Sequence, residues 1–179
     1  MASNNIQSIK CDINDLTIIK NLEKNLLNEL KETYERDKCI SDDLLESFFY
    51  LYKNPFMEAL NQIDKHEQQL LANQQKITID RLNPNTTTNE EDVNLVCQVK
   101  GKNSSRFIYR VKGSTNINYY LFDDINFCTC QSFKYQTLQN FENLNCKHII
   151  LIKLYKAMNK VVVKIVDDNE LVHLIKLIH

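Results

Sequence analysis

Two short pairs of metal-binding residue types lie close together in the last third of the chain. They are Cys128 and Cys130, separated by one residue, and Cys146 and His148, again separated by one residue. Zinc prefers thiolate and imidazole ligands, four of them at tetrahedral positions. Because side chains two positions apart on an extended chain point to the same side, the end of one strand can supply the first pair. The spacing therefore predicts one zinc ion held by these four residues.

The second pair lies at the start of a predicted helix, with Cys146 still in the turn and His148 in the first helical turn. Unpaired N–H groups at a helix N-terminus stabilise thiolates. Three cysteines and one histidine close the coordination shell, so we expect a structural site rather than a catalytic one. We expect Cys128→Ser or His148→Ala to unfold the C-terminal half. The alternative is a redox-active C-x-C pair unrelated to Cys146 and His148, which is disfavoured because such a disulfide is strained.

The compartment and the remaining cysteines follow from the rest of the sequence. The N-terminus lacks a basic region followed by an apolar stretch, so we expect no signal peptide and a reducing compartment. There, Cys11, Cys39 and Cys97 are expected to be spare thiols. No apolar run approaches the roughly 18 residues of a membrane-spanning helix, so no contact with a membrane is expected.

Helical periodicity dominates the N-terminal part, after a tail at residues 1–12. Apolar residues recur three or four positions apart through residues 15–38, which predicts an amphipathic helix for a core or a partner. Ser41 and the acids after it predict the cap of a second helix, and Pro55 predicts the start of a third. Residues 76–82 alternate between apolar and polar, which predicts a strand, and 83–92 form a predicted polar loop insertion.

Three alternating runs, residues 95–100, 106–112 and 117–122, are separated by short loops that contain Gly101 and Gly113. This pattern predicts an antiparallel β-meander leading into Cys128. An apolar helix over 149–158, an extended run over 161–166 and a last helix over 168–178 follow. The expected fold class is α+β, with N-terminal helices, a small meander, the zinc site and C-terminal helices. The expected divisions are 1–40 (tail and amphipathic helix), 41–72 (helical region), 73–127 (meander with the insertion), 128–160 (zinc finger) and 161–179 (C-terminal helix).

Only two glycines occur in the 179 residues, and they lie twelve positions apart. A G-x-G-x-x-G loop is therefore impossible, and a Walker A loop, with its two glycines five positions apart, is excluded as well. Nucleotide chemistry linked to this chain is thus expected on a partner. No small-molecule substrate is expected either, because no nucleophile-elbow or deaminase motif is present.

The net charge of −1 hides a strong asymmetry. Residues 1–96 carry 10 Lys and Arg against 17 Asp and Glu, a net −7, whereas residues 97–165 carry 11 against 3, a net +8. Basic residues interleaved with aromatic rings suit single-stranded nucleic acid. The candidate contacts are Arg106, Arg110, Lys112, Lys147, Lys153, Lys156 and Lys160, near the rings of Tyr119, Tyr120 and Phe133. The alternative is that the two halves face each other within one fold, with the lysines solvated and the rings in the core.

The pattern C-x-C, fifteen residues, C-x-H and then an apolar helix resembles the SWIM zinc finger family, most clearly in the run C-K-H-I-I-L-I-K-L at 146–154. Gln131 stands where the family often has proline, which affects the turn but not the ligands. The flanking segments D-L-L-E-S-F-F-Y-L at 43–51, E-A-L-N-Q-I-D at 58–64 and F-I-Y-R-V-K-G-S at 107–114 are similar to short family members that serve in the Shu complex.

This resemblance implies a nuclear, non-enzymatic factor in homologous recombination. Such members form an obligate heterodimer with a RecA-like recombinase paralogue and promote recombinase filament assembly on single-stranded DNA, which they contact through the complex. Other SWIM proteins, of transposase or chromatin type, leave open the alternative of a module that binds nucleic acid directly.

Overall fold

The computed structural model describes residues 13–80, 93–115 and 117–178. Three helices come first: α1 (Ile13–Asp37), α2 (Asp42–Tyr52) and α3 (Asn54–Asp80). Strands β1 (Val96–Gly101), β2 (Phe107–Lys112) and β3 (Asn118–Leu121) follow. A π-helix (Phe133–Gln139), α4 (Lys147–Ala157), β4 (Val162–Val166) and α5 (Asp168–Lys176) complete the chain. The expected α+β class is confirmed, while the predicted tail and loop insertion lie outside the described residues.

Local signals account for most helix boundaries. Ser41 caps α2 as predicted, because its hydroxyl oxygen accepts a hydrogen bond from the Leu44 N–H at 3.4 Å. Lys53 ends α2 with a positive φ of 57°, which takes the chain out of the helix, and its N–H donates to the Phe49 carbonyl. Pro55 then lies in the first turn of α3, where its missing N–H costs no hydrogen bond.

The predicted strand over residues 76–82 is wrong where the structure describes it. Residues 76–80 continue α3 as helix, and 81–82 lie outside the described residues. Alternation over so few residues does not separate a strand from a helix. Between Pro55 and Pro84 the sequence contains no proline or glycine, so a helix once nucleated extends at little cost.

The predicted meander is confirmed, and β4 extends it into a four-stranded mixed sheet in the order β3-β2-β1-β4. The pairs β1–β2 and β2–β3 are antiparallel, with Val96 opposite Val111 and Tyr109 opposite Leu121. The extended run predicted at 161–166 pairs in parallel with β1. Its connection from the meander passes through the cysteine region and α4, a crossover of the length that parallel pairing requires.

The larger core lies between α1–α4 and one face of the sheet, and includes Leu30, Phe48 and Ile150, all fully buried. A smaller core, which includes Ile108 and Leu171, lies under α5 on the opposite face. None of the helices in the described ranges combines the length and apolarity needed to cross a membrane.

The apolar stripe of α1 divides into two halves. Leu26 and Leu30, in the C-terminal half, are buried in the larger core, whereas Leu16, Ile18 and Leu22 are exposed. The helix was predicted to serve either the core or a partner. Its C-terminal half packs within the domain, and its N-terminal half presents apolar side chains to solvent, where a partner could contact them.

Candidate metal centre

Two separate parts of the fold deliver the four predicted zinc ligands. Cys128 and Cys130 lie on the segment between β3 and the π-helix, so the meander directs the first pair. Cys146 is the N-cap residue of α4, with extended backbone angles, and His148 is the second residue of that helix. The predicted placement of the second pair, one ligand before the helix and one in its first turn, is therefore what the structure shows.

The four side chains converge. Their ligand atoms all lie within 4.8 Å of one another, and each residue is at most 4% exposed. The Nδ1 atom of His148 lies 3.7 Å from the Sγ atom of Cys128. A tetrahedral zinc ion with typical bond lengths places sulfur and nitrogen ligands about 3.6 Å apart, so this separation fits the metal. Three thiols and one imidazole are also the donor set that zinc prefers, and they form a site for one structural zinc ion.

The electrostatics of the cluster favour a cation. Hydrogen bonds from the Cys128 and Cys146 thiols hold the pKa of the Cys130 thiol well below its usual range. The backbone N–H of Phe133 also donates to the Cys130 sulfur, at 3.3 Å. Conversely, the hydrogen bond to Cys130 raises the pKa of Cys128. A bound zinc ion supplies the positive charge that lets all three sulfurs be thiolates, cross-linking the two segments.

Aromatic rings enclose the site. The Tyr119 ring of β3 stacks on the His148 imidazole, with ring centroids 4.0 Å apart, and fixes its orientation. Phe133 is buried beside Cys130 and contacts the Phe127 ring edge-on. Tyr119 and Phe133, two of the three rings considered for nucleic-acid stacking, thus pack around the metal centre, in line with the alternative that these rings are core.

The four predicted nucleic-acid-contacting lysines on and around α4 each have an acidic partner. The nitrogen–oxygen distances are 3.2 Å for Lys147–Glu58 and 2.6 Å for each of Lys153–Glu23, Lys156–Asp123 and Lys160–Glu67. Three of these acids belong to α1 and α3. The acidic and basic halves of the sequence therefore face each other across the domain, which is the alternative that the charge asymmetry left open.

The three other basic candidates are dispersed. Arg110 is 8% exposed within β2, and its guanidinium donates to the Asn94 carbonyl at 3.3 Å. Lys112 lines a cleft of about 350 Å³ with Lys147, whereas Arg106 is exposed just before β2. Nucleic-acid contact by these residues stays a prediction.

Glu23 is a structurally important residue that the sequence analysis missed. Its carboxylate accepts hydrogen bonds from the Tyr52 hydroxyl and the Lys153 ammonium, each at 2.6 Å, and lies 3.4 Å from the amide of Asn145. Burial, together with the Glu23 charge, raises the pKa of Tyr52 above its ordinary value. The sequence did contain a sign of this role, because Glu23 lies on the apolar stripe of α1, between Ile19 and Leu26, where an acidic residue is unexpected.

Comparisons with known proteins agree with this geometry. The SWIM zinc finger family matches residues 120–157, a span that contains all four predicted ligands. No solved structure matches the chain.

Relatives extend the likeness beyond the finger. Zinc finger SWIM domain-containing protein 7 of Danio rerio is 24% identical over 150 residues, which cover 84% of this chain and 86% of the relative. The Dictyostelium discoideum homolog is 26% identical, covering 81% and 76%, and the Homo sapiens protein is 21% identical, covering 82% and 84%. Residues 120–157 therefore match the SWIM zinc finger family, and the chain resembles zinc finger SWIM domain-containing protein 7 over most of its length.

Proposed function

We propose that this chain is a non-enzymatic, zinc-stabilised adaptor in homologous recombination, and that it pairs with a RecA-like ATPase subunit in the nucleus. In this role it promotes assembly of the recombinase filament on single-stranded DNA, which it reaches through the complex. The observation that carries the proposal is the metal centre itself: four ligands, each at most 4% exposed, close the coordination shell. A closed zinc site stabilises a fold and offers no position for a substrate.

The composition of the chain supports a complex in which another subunit binds ATP. With two glycines it has neither common glycine-rich nucleotide loop, so ATP hydrolysis in such a complex belongs to the partner. The likeness to the SWIM-domain relatives covers more than four-fifths of the chain, including helices outside the finger. The recombination role itself comes from the resemblance of the finger and its flanks to the short SWIM proteins of the Shu complex.

Affinity purification of the tagged full-length chain from its own cells, with mass spectrometry, tests the proposal. We expect a RecA-class ATPase in near-equal amount, and imaging should place the tagged chain in the nucleus. A matched preparation that carries only the tag gives the background. Recovery of chromatin or ubiquitin-ligase subunits instead of an ATPase would overturn the proposal.

The alternative function is direct binding of nucleic acid by the finger. The net +8 charge of residues 97–165 favours it, whereas the acidic partners of the four lysines oppose it. Binding of the purified chain to a single-stranded oligonucleotide, measured at 50 and 200 mM salt, separates the two. Direct phosphate contacts predict a loss of affinity of about 10³-fold or more for six contacts. Under the adaptor proposal the isolated chain binds weakly at both salt concentrations.

A further inference from the structure

The loop that joins the two ligand pairs presents an unusually exposed aromatic side chain. Phe141 is 84% exposed, the largest exposed fraction among the large hydrophobic residues of the described ranges. Three other apolar side chains of the same segment, Tyr135, Leu138 and Leu144, are between 39% and 52% exposed. We call these four residues the zinc-loop surface. Exposed apolar side chains that recur this often along one short segment indicate an interaction site.

The backbone at Phe141 is left-handed, with φ 55°. Four other non-glycine residues of the described ranges share a positive φ, but all are polar or charged: Lys38, Lys53, Asp124 and Asn159. Asparagine and aspartate adopt this conformation readily, and Lys38 and Lys53 adopt it just after the ends of α1 and α2. For a bulky aromatic residue it is a costly outlier, and such strain persists only where the surrounding structure imposes it.

Hydrogen bonds to one residue of the π-helix impose this conformation. The N–H groups of Glu142 and Asn143 both donate to the Gln136 carbonyl, at 2.8 and 3.3 Å. The Asn143 side-chain amide and the Ser132 hydroxyl both donate to the Gln136 side-chain oxygen, at 3.2 and 2.7 Å. The loop is thus braced on both sides of its tip, and Phe141 is held outward at little cost in entropy on binding.

The charge of this segment indicates what it binds. Between Cys130 and Cys146 the only ionisable side chains other than Tyr135 are Lys134 and Glu142, so the net charge is zero. A surface for single-stranded nucleic acid needs a cationic groove beside its rings, and this segment supplies none. Neutral, apolar and aromatic, it matches the centre of a protein–protein interface, where rigid aromatic anchors fill pockets of the partner.

We propose that the zinc-loop surface is a protein-docking site, with Phe141 as the anchor that enters an apolar pocket of the partner subunit. This inference deepens the proposed function, on which it rests for the partner's class. The metal gains a second role here, because it fixes both ends of the loop that carries the anchor. The backbone strain at Phe141 is then the cost of presenting the ring.

Two substitutions of the same residue separate binding from folding. Phe141→Ala removes the ring and retains the left-handed strain, so we expect an unchanged melting temperature. Phe141→Gly removes the ring and relieves the strain, because glycine adopts positive φ freely, so we expect a higher melting temperature. Both variants should retain one zinc ion and lose at least tenfold in partner affinity. Tyr50→Ala is the control, since Tyr50 of α2 is 72% exposed and lies outside the surface.

Photo-crosslinking identifies the occupant. The full-length chain with benzoylphenylalanine at position 141 is expressed in its own cells, beside a control with the same group at position 50. We expect position 141, and not position 50, to crosslink to an apolar segment of one protein that both Phe141 variants fail to retain. Crosslinks to a second copy of this chain or to nucleic acid would overturn the docking proposal.

The outcomes also separate this proposal from the proposed function. If the crosslinked protein is a RecA-class ATPase, both are supported. If it is another protein that the Phe141 variants lose, the docking surface stands and the recombination adaptor fails. If an ATPase co-purifies equally with the wild-type chain and with both variants, the adaptor stands and the docking surface fails.

Discussion

Loss of one zinc ligand should unfold the whole domain. Cys130→Ser removes a thiolate from a closed four-ligand site, and zinc binding contributes about 10–16 kcal/mol in small zinc-finger peptides. The net stability of a typical domain is about 5–15 kcal/mol, so the zinc contribution is as large as the stability of the whole domain and its loss should unfold it. Cys128, Cys130 and Cys146 belong to the same core as residues of α1 and α2, so unfolding should extend beyond the C-terminal half that the sequence suggested.

Circular dichroism at 222 nm against temperature, paired with elemental analysis of bound zinc, measures this effect. Cys39→Ser is the matched control, because Cys39 is an exposed free thiol between α1 and α2. The control should keep one zinc ion and the wild-type melting temperature. Cys130→Ser should show no cooperative transition, and the wild-type chain should lose its own transition when a strong chelator removes the metal.

A Cys130→Ser protein without zinc that melts cooperatively at the wild-type temperature would refute this reasoning. It would mean that apolar packing alone sustains the fold. A cooperative melt that lost only part of the helical signal would show that α1–α3 fold independently of the metal centre, which the shared core argues against.

The remaining predictions concern the supports of the site. Glu23→Gln should destabilise the domain by about 3 kcal/mol in chemical denaturation, because the carboxylate pairs with Lys153 where both side chains are at most 20% exposed. Arg36→Gln, at an exposed ion pair, should leave the denaturation midpoint unchanged. Gly113→Ala should lower the melting temperature and weaken zinc binding, because the new Cβ would lie 2.8 Å from the Ile117 carbonyl and 2.7 Å from the ring that stacks on the histidine ligand. Gly101→Ala should lower the melting temperature less. Its new Cβ would lie 3.1 Å from the Ser104 side chain and 3.2 Å from the Leu171 side chain, and the nearest group, the Asp168 carboxylate, can move away.

The sequence predicted the features that depend on local chemistry. The cap at Ser41, the start of a helix at Pro55 and the antiparallel meander each rest on short-range rules, and the structure has all three. The convergence of the four predicted ligands followed from the ligand preference of zinc, which needs both pairs in one site. Local spacing accounts for the first pair alone, because side chains two positions apart on an extended segment point the same way.

Features that depend on contacts between distant parts of the chain could not be predicted from short-range sequence rules. β4 pairs with β1 across some sixty residues, and only the folded chain shows that they are neighbours. The end of α3 was misjudged because helical propagation outweighed a short β-like alternation. Glu23 contacts residues 29, 122 and 130 positions away, which no local pattern reveals.

The charge asymmetry shows how folding changes the functional argument. A segment with net charge +8 suggests a phosphate-binding surface, yet ion pairs with α1, α3 and the segment after β3 engage all four lysines on and around α4. The apolar surface that stays exposed includes the N-terminal half of α1, with three exposed apolar residues, and the neutral zinc loop that carries Phe141. Since apolar surface favours protein partners and paired charge weakens phosphate binding, these features are in line with the proposal of an adaptor that would reach DNA through another subunit.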